Sequence, residues 1–286
     1  MPISVKNLSF SYGKKSAFFV KALDGVTFDV SDGEFVGIIG STGSGKSTLI
    51  QHLNGLIKLS EGVITVDEID LSKKKPDLQS LRKKIGMLFQ YPEYQLFAET
   101  VLDDVLFGPI NFGMEKELAK EQARKAIEQV GLDFDVIKDR SPIELSGGQK
   151  RRVAIAGVLA YNPDFLILDE PTAGLDPVGK KEMLDLVTSL KNSGTIKTVI
   201  MVSHNLDEIA EYADRLLVLS KGKLIFDTTC EDFFYNEDVT SYSLDYPHVV
   251  SVVKKLREKG INIEKNVLTK DELLTELKGI LTGGAK

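Results

Sequence analysis

The stretch Gly40-Ser41-Thr42-Gly43-Ser44-Gly45-Lys46-Ser47 restricts what this chain can be more than any other feature. It fits G-x-x-x-x-G-K-[ST] at every fixed position, follows a short apolar run from Phe35 to Ile39, and opens a helical pattern near Lys46. Glycines let the backbone curl so that successive N–H groups point inward at an anion, and a helix N-terminus adds its dipole. Lys46 is then placed to neutralise phosphate charge, and the Ser47 hydroxyl to ligate Mg²⁺. The unit reads as strand, phosphate-binding loop and helix.

The rest of the chain supplies a sheet for that loop. Ile3 to Phe10 and Val26 to Val30 alternate apolar and polar residues, as half-buried strands do. Gly62 to Asp67 and Ile85 to Phe89 read as further strands. Phe165 to Leu168, Thr198 to Val202 and Leu216 to Leu219 are apolar runs suited to strands covered on both faces. A helix is expected between the first two, over about 177–191, and that alternation marks a mostly parallel sheet covered by helices. From about Pro92 to Leu145 helical signals dominate, clearest over 115–130 with Gly131 as the stop. Beyond about Asp227, residues 247–259 and 269–281 read as two amphipathic helices, the second opened by a capping box from Thr269 to Glu272.

Chemistry gathers at two more places. Phe165-Leu166-Ile167-Leu168 runs into Asp169-Glu170, and open α/β sheets place their reactive groups at the carboxyl ends of strands. Asp169 would hold Mg²⁺ through water, and Glu170 would position or deprotonate an attacking water. Leu145-Ser146-Gly147-Gly148-Gln149 precedes a helix expected over about 150–160. Ser146 can cap that helix while the glycines expose N–H groups. Alone, this is either a second anion site or a well-capped helix.

Together, the loop at 40–47, LSGGQ at 145–149 and LILDEP at 166–171 resemble the ABC ATPase family, and the match runs from about Ile3 to Asp227. The resemblance implies an α/β P-loop NTPase cassette over 1–228. It would have a mostly parallel sheet, an N-terminal antiparallel β subdomain and an inserted helical subdomain at about 92–146. A small helix-rich extension over 229–286 would support a dimer. It further implies that ATP and Mg²⁺ bind here, that two cassettes sandwich two ATP molecules head to tail, and that Ser146, Gly147, Gly148 and Gln149 face the partner's nucleotide. Gly40 to Ser47 and Thr48 would cradle the phosphates, Tyr12 would stack on adenine, and Ser47, Gln90 and Asp169 would serve the metal. Glu170, His204 and Gln90 would act in hydrolysis, and Asp176 would sit in the loop that crosses the dimer interface. That loop reads Ala173-Gly174-Leu175-Asp176, where the family usually has Ser-Ala-Leu-Asp.

Several classes of function are disfavoured. A net charge of −6 offers no broadly basic surface for nucleic acid, and the cluster Lys73-Lys74-Lys75 with Arg82-Lys83-Lys84 reads as a solvated face. The single cysteine, Cys230, forms no intrachain disulfide. Met1 to Lys6 lacks the apolar stretch of a signal peptide, and no run approaches the ~18–20 apolar residues of a membrane span. The chain is expected to be a peripheral protein on the cytoplasmic face of the cell membrane, docked onto partners that span it.

Within the family, Gln90 to Val101 (QYPEYQLFAETV), Gln51 to Leu56 and Phe107 to Gly113 resemble the energy-coupling factor (ECF) transporter ATPases. That implies ATP-driven uptake of a vitamin or a transition-metal ion. The partners would be a second ATPase (a paralogue favoured, a second copy possible), a transmembrane coupling protein and a membrane-embedded substrate-binding protein. The alternatives are another ABC importer, or an ABC ATPase acting on nucleic acid or the ribosome.

Overall fold

A computed structural model describes residues 2–13, 18–261 and 263–283. β1 (Ile3–Tyr12) and β2 (Val20–Val30) pair antiparallel, and β3 (Phe35–Ile39) runs through the glycine loop into α1 (Lys46–Leu53). β4 (Val63–Val66) and β5 (Ile69–Asp70) complete a small antiparallel sheet of order β2-β1-β4-β5. α2 (Leu78–Lys84) leads into β6 (Ile85–Leu88). Four helices then intervene: α3 (Val101–Asn111), α4 (Lys116–Gln129), α5 (Phe134–Ile137) and α6 (Gly147–Leu159). β7 (Phe165–Asp169), α7 (Pro177–Asn192), β8 (Thr198–Val202), α8 (Leu206–Tyr212), β9 (Arg215–Ser220) and β10 (Lys223–Thr228) follow. α9 (Cys230–Asn236), α10 (His248–Glu258) and α11 (Lys270–Gly283) end the described chain.

The large sheet has the order β10-β9-β3-β8-β7-β6, parallel throughout except for the β10 edge. Its apolar runs show why. Successive side chains of a strand point to opposite faces, so Phe35, Leu166, Leu168, Val199 and Met201 enter a core beneath the helices. Val36, Ile38, Phe165, Ile167, Ile200 and Val202 enter a second core between the sheet, α1 and the antiparallel sheet. All these strands are buried on both faces, and their carboxyl ends converge on the glycine loop.

Several elements differ from the reading of the sequence. β2 begins at Val20 rather than near Val26, because Gly25 at φ 68° bends an otherwise continuous strand whose first half is mostly polar or exposed. α6 begins at Gly147 rather than near Lys150. Ser146 and Gln149 close a reciprocal capping box that draws both glycines into the first turn. α2, α3, α8, β10 and α9 carried no distinct local signal. α9 places Phe233 and Phe234 in the same core as the sheet, with Val239 and Val250, whereas Val249, Val253, Ile263 and Val267 form a small separate cluster. Cys230 is buried against the Ile209 and Ala213 carbonyls, and burial pushes its thiol up to about 12.

Candidate nucleotide site

The loop after β3 has the tight backbone its sequence requires. Gly40 has φ 151° and Gly45 φ 107°. A Cβ on Gly40 would lie 2.2 Å from the Leu219 carbonyl oxygen, and one on Gly45 2.4 Å from that of Ala22, so no other residue fits either position. The Lys46 ammonium donates to the Gly40 carbonyl at 2.7 Å and the Ser41 carbonyl at 3.2 Å. Burial lowers the Lys46 pKa, and the carboxylates of Glu170 and Asp169 oppose that shift. The charge is thus held at the loop itself, with two acids facing it.

An open cleft of about 280 Å³ joins this loop to the other candidates. Thr42 to Thr48, Glu170, His204 and Tyr12 line it, together with Val20 and Ala22. Gly40, Ser41 and Thr42 border a second cleft shared with His204. The Tyr12 hydroxyl lies 3.2 Å from Thr48 Oγ1, and its ring stands edge-on to Phe10 at 4.9 Å. Val20 was not singled out by the sequence. It is the register partner of Tyr12 across the β1–β2 pair, and its exposed side chain extends the apolar wall there.

Glu170 follows the last residue of β7 and has φ 50°, a left-handed conformation uncommon for a residue with a Cβ. Its N–H donates to the Val202 carbonyl at 2.9 Å, which ties the turn to the end of β8. The carboxylate lies between two of the predicted side chains. His204 Nε2 is 2.8 Å from Oε1, and Gln90 Nε2 donates to Oε2 at 3.3 Å. Asp169, one residue earlier, has its carboxyl raised chiefly by burial and then by Glu170, against the pull of Lys46 and His204. A second residue that carried no sequence signal supports this arrangement. Glu208 is a buried carboxylate that accepts from Ser203 Oγ at 3.1 Å and Asn205 Nδ2 at 2.9 Å, on either side of His204.

The donors near Asp169 suit a hard cation. The Ser47 hydroxyl, the Asp169 carboxylate and the Gln90 side-chain carbonyl are oxygen ligands of the kind Mg²⁺ takes beside nucleotide phosphates. Burial is the main reason that the Asp169 carboxyl is raised, with the neighbouring Glu170 adding to it, and a cation here would offset both. Among the described residues no group of three or more His, Cys, Asp or Glu side chains could hold a metal ion by itself.

Ser146 to Gln149 stand elsewhere. Ser146 accepts from the Gln149 N–H at 3.3 Å, and Gln149 Oε1 accepts from the Ser146 N–H at 3.1 Å. Ser146, Gly147 and Gly148 are exposed, with open space beside both glycines. None of residues 146–149 lines the Lys46 cleft. Asp176 caps α7 by accepting from the Gly179 N–H at 2.7 Å. One chain therefore presents the Lys46 loop and an exposed, capped helix N-terminus at two separate places.

A family profile described as ABC transporter matches residues 23–173. An energy-coupling factor transporter ATP-binding protein EcfA2 from Symbiobacterium thermophilum is 49% identical over 284 residues, covering 99% of this chain and 98% of that protein. The chain belongs to the ABC transporter ATP-binding family, in its energy-coupling factor branch. An EcfA2 from Clostridioides difficile is 47% identical over 285 residues, with 99% of each chain covered. Among solved structures, cbiO1 from Clostridium perfringens, part of the ABC transporter complex cbiONQ, aligns with a TM-score of 0.73 and 36% identity. That alignment covers 88% of this chain and 98% of that one. An ATP-binding cassette solved as a dimer in a post-hydrolysis state with ADP and Pi aligns at a TM-score of 0.69 and 31% identity, covering 81% of this chain and all of that one. The ABC cassette fold, with its antiparallel subdomain and inserted helices, is therefore the fold of this chain.

Proposed function

We propose that this chain is the ATP-hydrolysing subunit of an ECF-type importer, acting in a head-to-tail pair of cassettes beneath membrane partners. The observation that carries this reading is the Glu170 carboxylate set between His204 and Gln90 at the mouth of the Lys46 loop. ATP phosphates would lie along the N–H groups of residues 40–48, with the Lys46 ammonium turning from its own loop carbonyls onto β- and γ-phosphate oxygens. Tyr12 and Val20 would cover the adenine. Ser47, Asp169 and Gln90 would hold Mg²⁺, which when bound supplies positive charge at the phosphates. Glu170 would take the proton of the attacking water, and His204, already 2.8 Å away, would hold the carboxylate and contact the γ-phosphate.

Ser146, Gly147 and Gly148 would close over the partner's ATP, since none of them lines this chain's own cleft. ATP then bridges two surfaces that otherwise part, and hydrolysis releases them. A related second cassette is the favoured partner. The transmembrane coupling protein would dock on the aromatic surface after Gln90, where Tyr94, Phe97 and Phe107 are 83%, 65% and 53% exposed. No helix among the described residues is long and apolar enough to cross a membrane. The cargo, a vitamin or a transition-metal ion, would be carried by a membrane-embedded binding protein, with this subunit on the cytoplasmic face.

Glu170→Gln is the direct test. ATP affinity should stay within about twofold, turnover should fall by a factor on the order of 10²–10⁴, and a closed, ATP-bound pair should accumulate on size-exclusion chromatography. Turnover near the wild-type rate would remove Glu170 from the chemistry. Affinity purification from detergent-solubilised membranes should bring down a second ATPase, a multi-span protein and small membrane carriers. Recovery of ribosomes or nucleic acid instead would sink the transport assignment.

A further inference from the structure

Arg151 lies on α6, just past the Ser146 cap, and is only 3% exposed. A buried guanidinium must have its donors met, and these are met by two other segments. Nε and Nη2 donate to the Glu93 carboxylate at 3.0 and 2.9 Å, a bidentate pair. Nη1 donates to the Pro171 carbonyl at 3.1 Å, and Nη2 also reaches the Ala173 carbonyl at 3.2 Å.

The placement of those carbonyls matters. Pro171 and Ala173 flank Thr172, whose hydroxyl donates to Glu208 Oε2 at 2.7 Å. Glu208 in turn holds Ser203 and Asn205 on either side of His204, and it lies 3.4 Å from Lys180 Nζ. The turn that begins immediately after Glu170 is thus gripped from one side by Arg151 and from the other by Glu208. The Ala173 N–H closes the turn onto the Glu170 carbonyl at 3.2 Å. Glu93 belongs to the short 3₁₀ turn Pro92–Gln95 that follows Gln90. One guanidinium therefore joins the segment carrying Gln90, the helix carrying Ser146 and the turn carrying Glu170.

We propose that Arg151, braced by Glu93, is a positioning residue for hydrolysis, setting the Pro171–Ala173 turn and through it the Glu170 carboxylate. The inference rests on the reading of Glu170 as the base. Burial of the pair is not explained by stability alone, because a buried ion pair is often no more stabilising than well-packed apolar side chains of similar volume. What an apolar replacement lacks is the planar fork that holds a carboxylate and two carbonyls at once, and lysine lacks it too.

The test is steady-state ATP turnover of the full-length chain in its purified assembly, with E170Q setting the residual turnover contributed by other sites. R151Q and R151K should each fall at least tenfold toward that residual, while KM for ATP and the nucleotide affinity of the isolated chain stay within twofold. E93Q keeps the shape of the side chain and removes its charge, so it serves where R151Q fails to fold. It should lose kcat in the same way, and the double variant R151Q/E93Q should be no slower than R151Q alone. Folded R151Q or E93Q with wild-type kcat beside an inactive E170Q would overturn the inference and leave the functional reading intact. So would a rise in KM that accounts for the loss, or losses that multiply in the double variant. E170Q turning over ATP at the wild-type rate would overturn the functional reading and the positioning role with it.

Discussion

Asp169 shows at the scale of one residue how the site trades stability for charge. Its carboxyl is raised from the ordinary value of 3.8 chiefly by burial and next by Glu170. An unfolded chain loses that proton near the ordinary value, whereas the folded chain keeps it to higher pH. Stability therefore falls as pH rises between the two values, and the full cost persists above the folded pKa. Asp169→Asn should raise the melting temperature of the nucleotide-free protein at about pH 7, with the gain shrinking as the pH falls into the ordinary carboxylate range. The same change should abolish Mg²⁺-dependent turnover. Thermal unfolding at neutral and acidic pH checks the first part, and a variant less stable than wild type at neutral pH would contradict it. The two acids at the end of β7 were legible as a pair because a four-residue apolar run delivers them to a strand end. That Glu170 takes a left-handed backbone was not legible, and its meeting with Gln90, 80 residues earlier in the chain, was expected only through the family resemblance.

Among the elements, α6 carries the proposed second cradle. Its cap satisfies N-terminal donors that would otherwise face solvent, and removing the Ser146 hydroxyl should cost about 1 kcal/mol of stability. Ser146→Arg asks a different question. An arginine at this exposed N-terminus should block a partner's nucleotide while leaving this chain's own cleft untouched. ATP binding by an isolated chain, followed with a fluorescent analogue, should therefore be unchanged while turnover by the assembled pair is lost. Reduced binding by the isolated chain would mean that the cradle acts within one chain. The sheet strands were readable because burial on both faces forces short uninterrupted apolar runs. The first half of β2 and the whole of β10 were not. β2 is bent at Gly25 and buries only Ala22 and Leu23 before the bend, and β10 is a half-exposed edge strand, so neither stretch shows a full apolar pattern.

At the scale of the whole molecule, packing crosses the point where the cassette pattern ends in the sequence. Phe233 and Phe234 are fully buried in the core shared with β3, β7 and β8, and Phe226 and Tyr242 stack around Phe233 at centroid distances of 5.2 and 6.4 Å. A chain ending at Thr228 should lose this cluster. Each buried Phe lost is worth ~3–5 kcal/mol, so the shortened protein should be insoluble or melt far below the full chain. A chain ending at Leu268 loses only α11, whose Leu273 and Leu277 pack on the small separate cluster, and should melt within a few degrees of the full chain. Equal melting temperatures for both truncations would show that α9 adds nothing to the cassette core.

The sequence alone determined the phosphate loop, the parallel sheet beneath it and the family, because each is written in local order. Glycines sit where the backbone must turn back on itself, apolar runs where both faces are covered, and acids or a histidine at the strand ends. The tertiary structure alone decided which charges are buried. Arg151, Glu93 and Glu208 look like ordinary surface charges in sequence, and only the folded chain shows them closing on the turn behind Glu170. The cost of burying a charge depends on partners brought from distant segments, and no local pattern encodes that pairing.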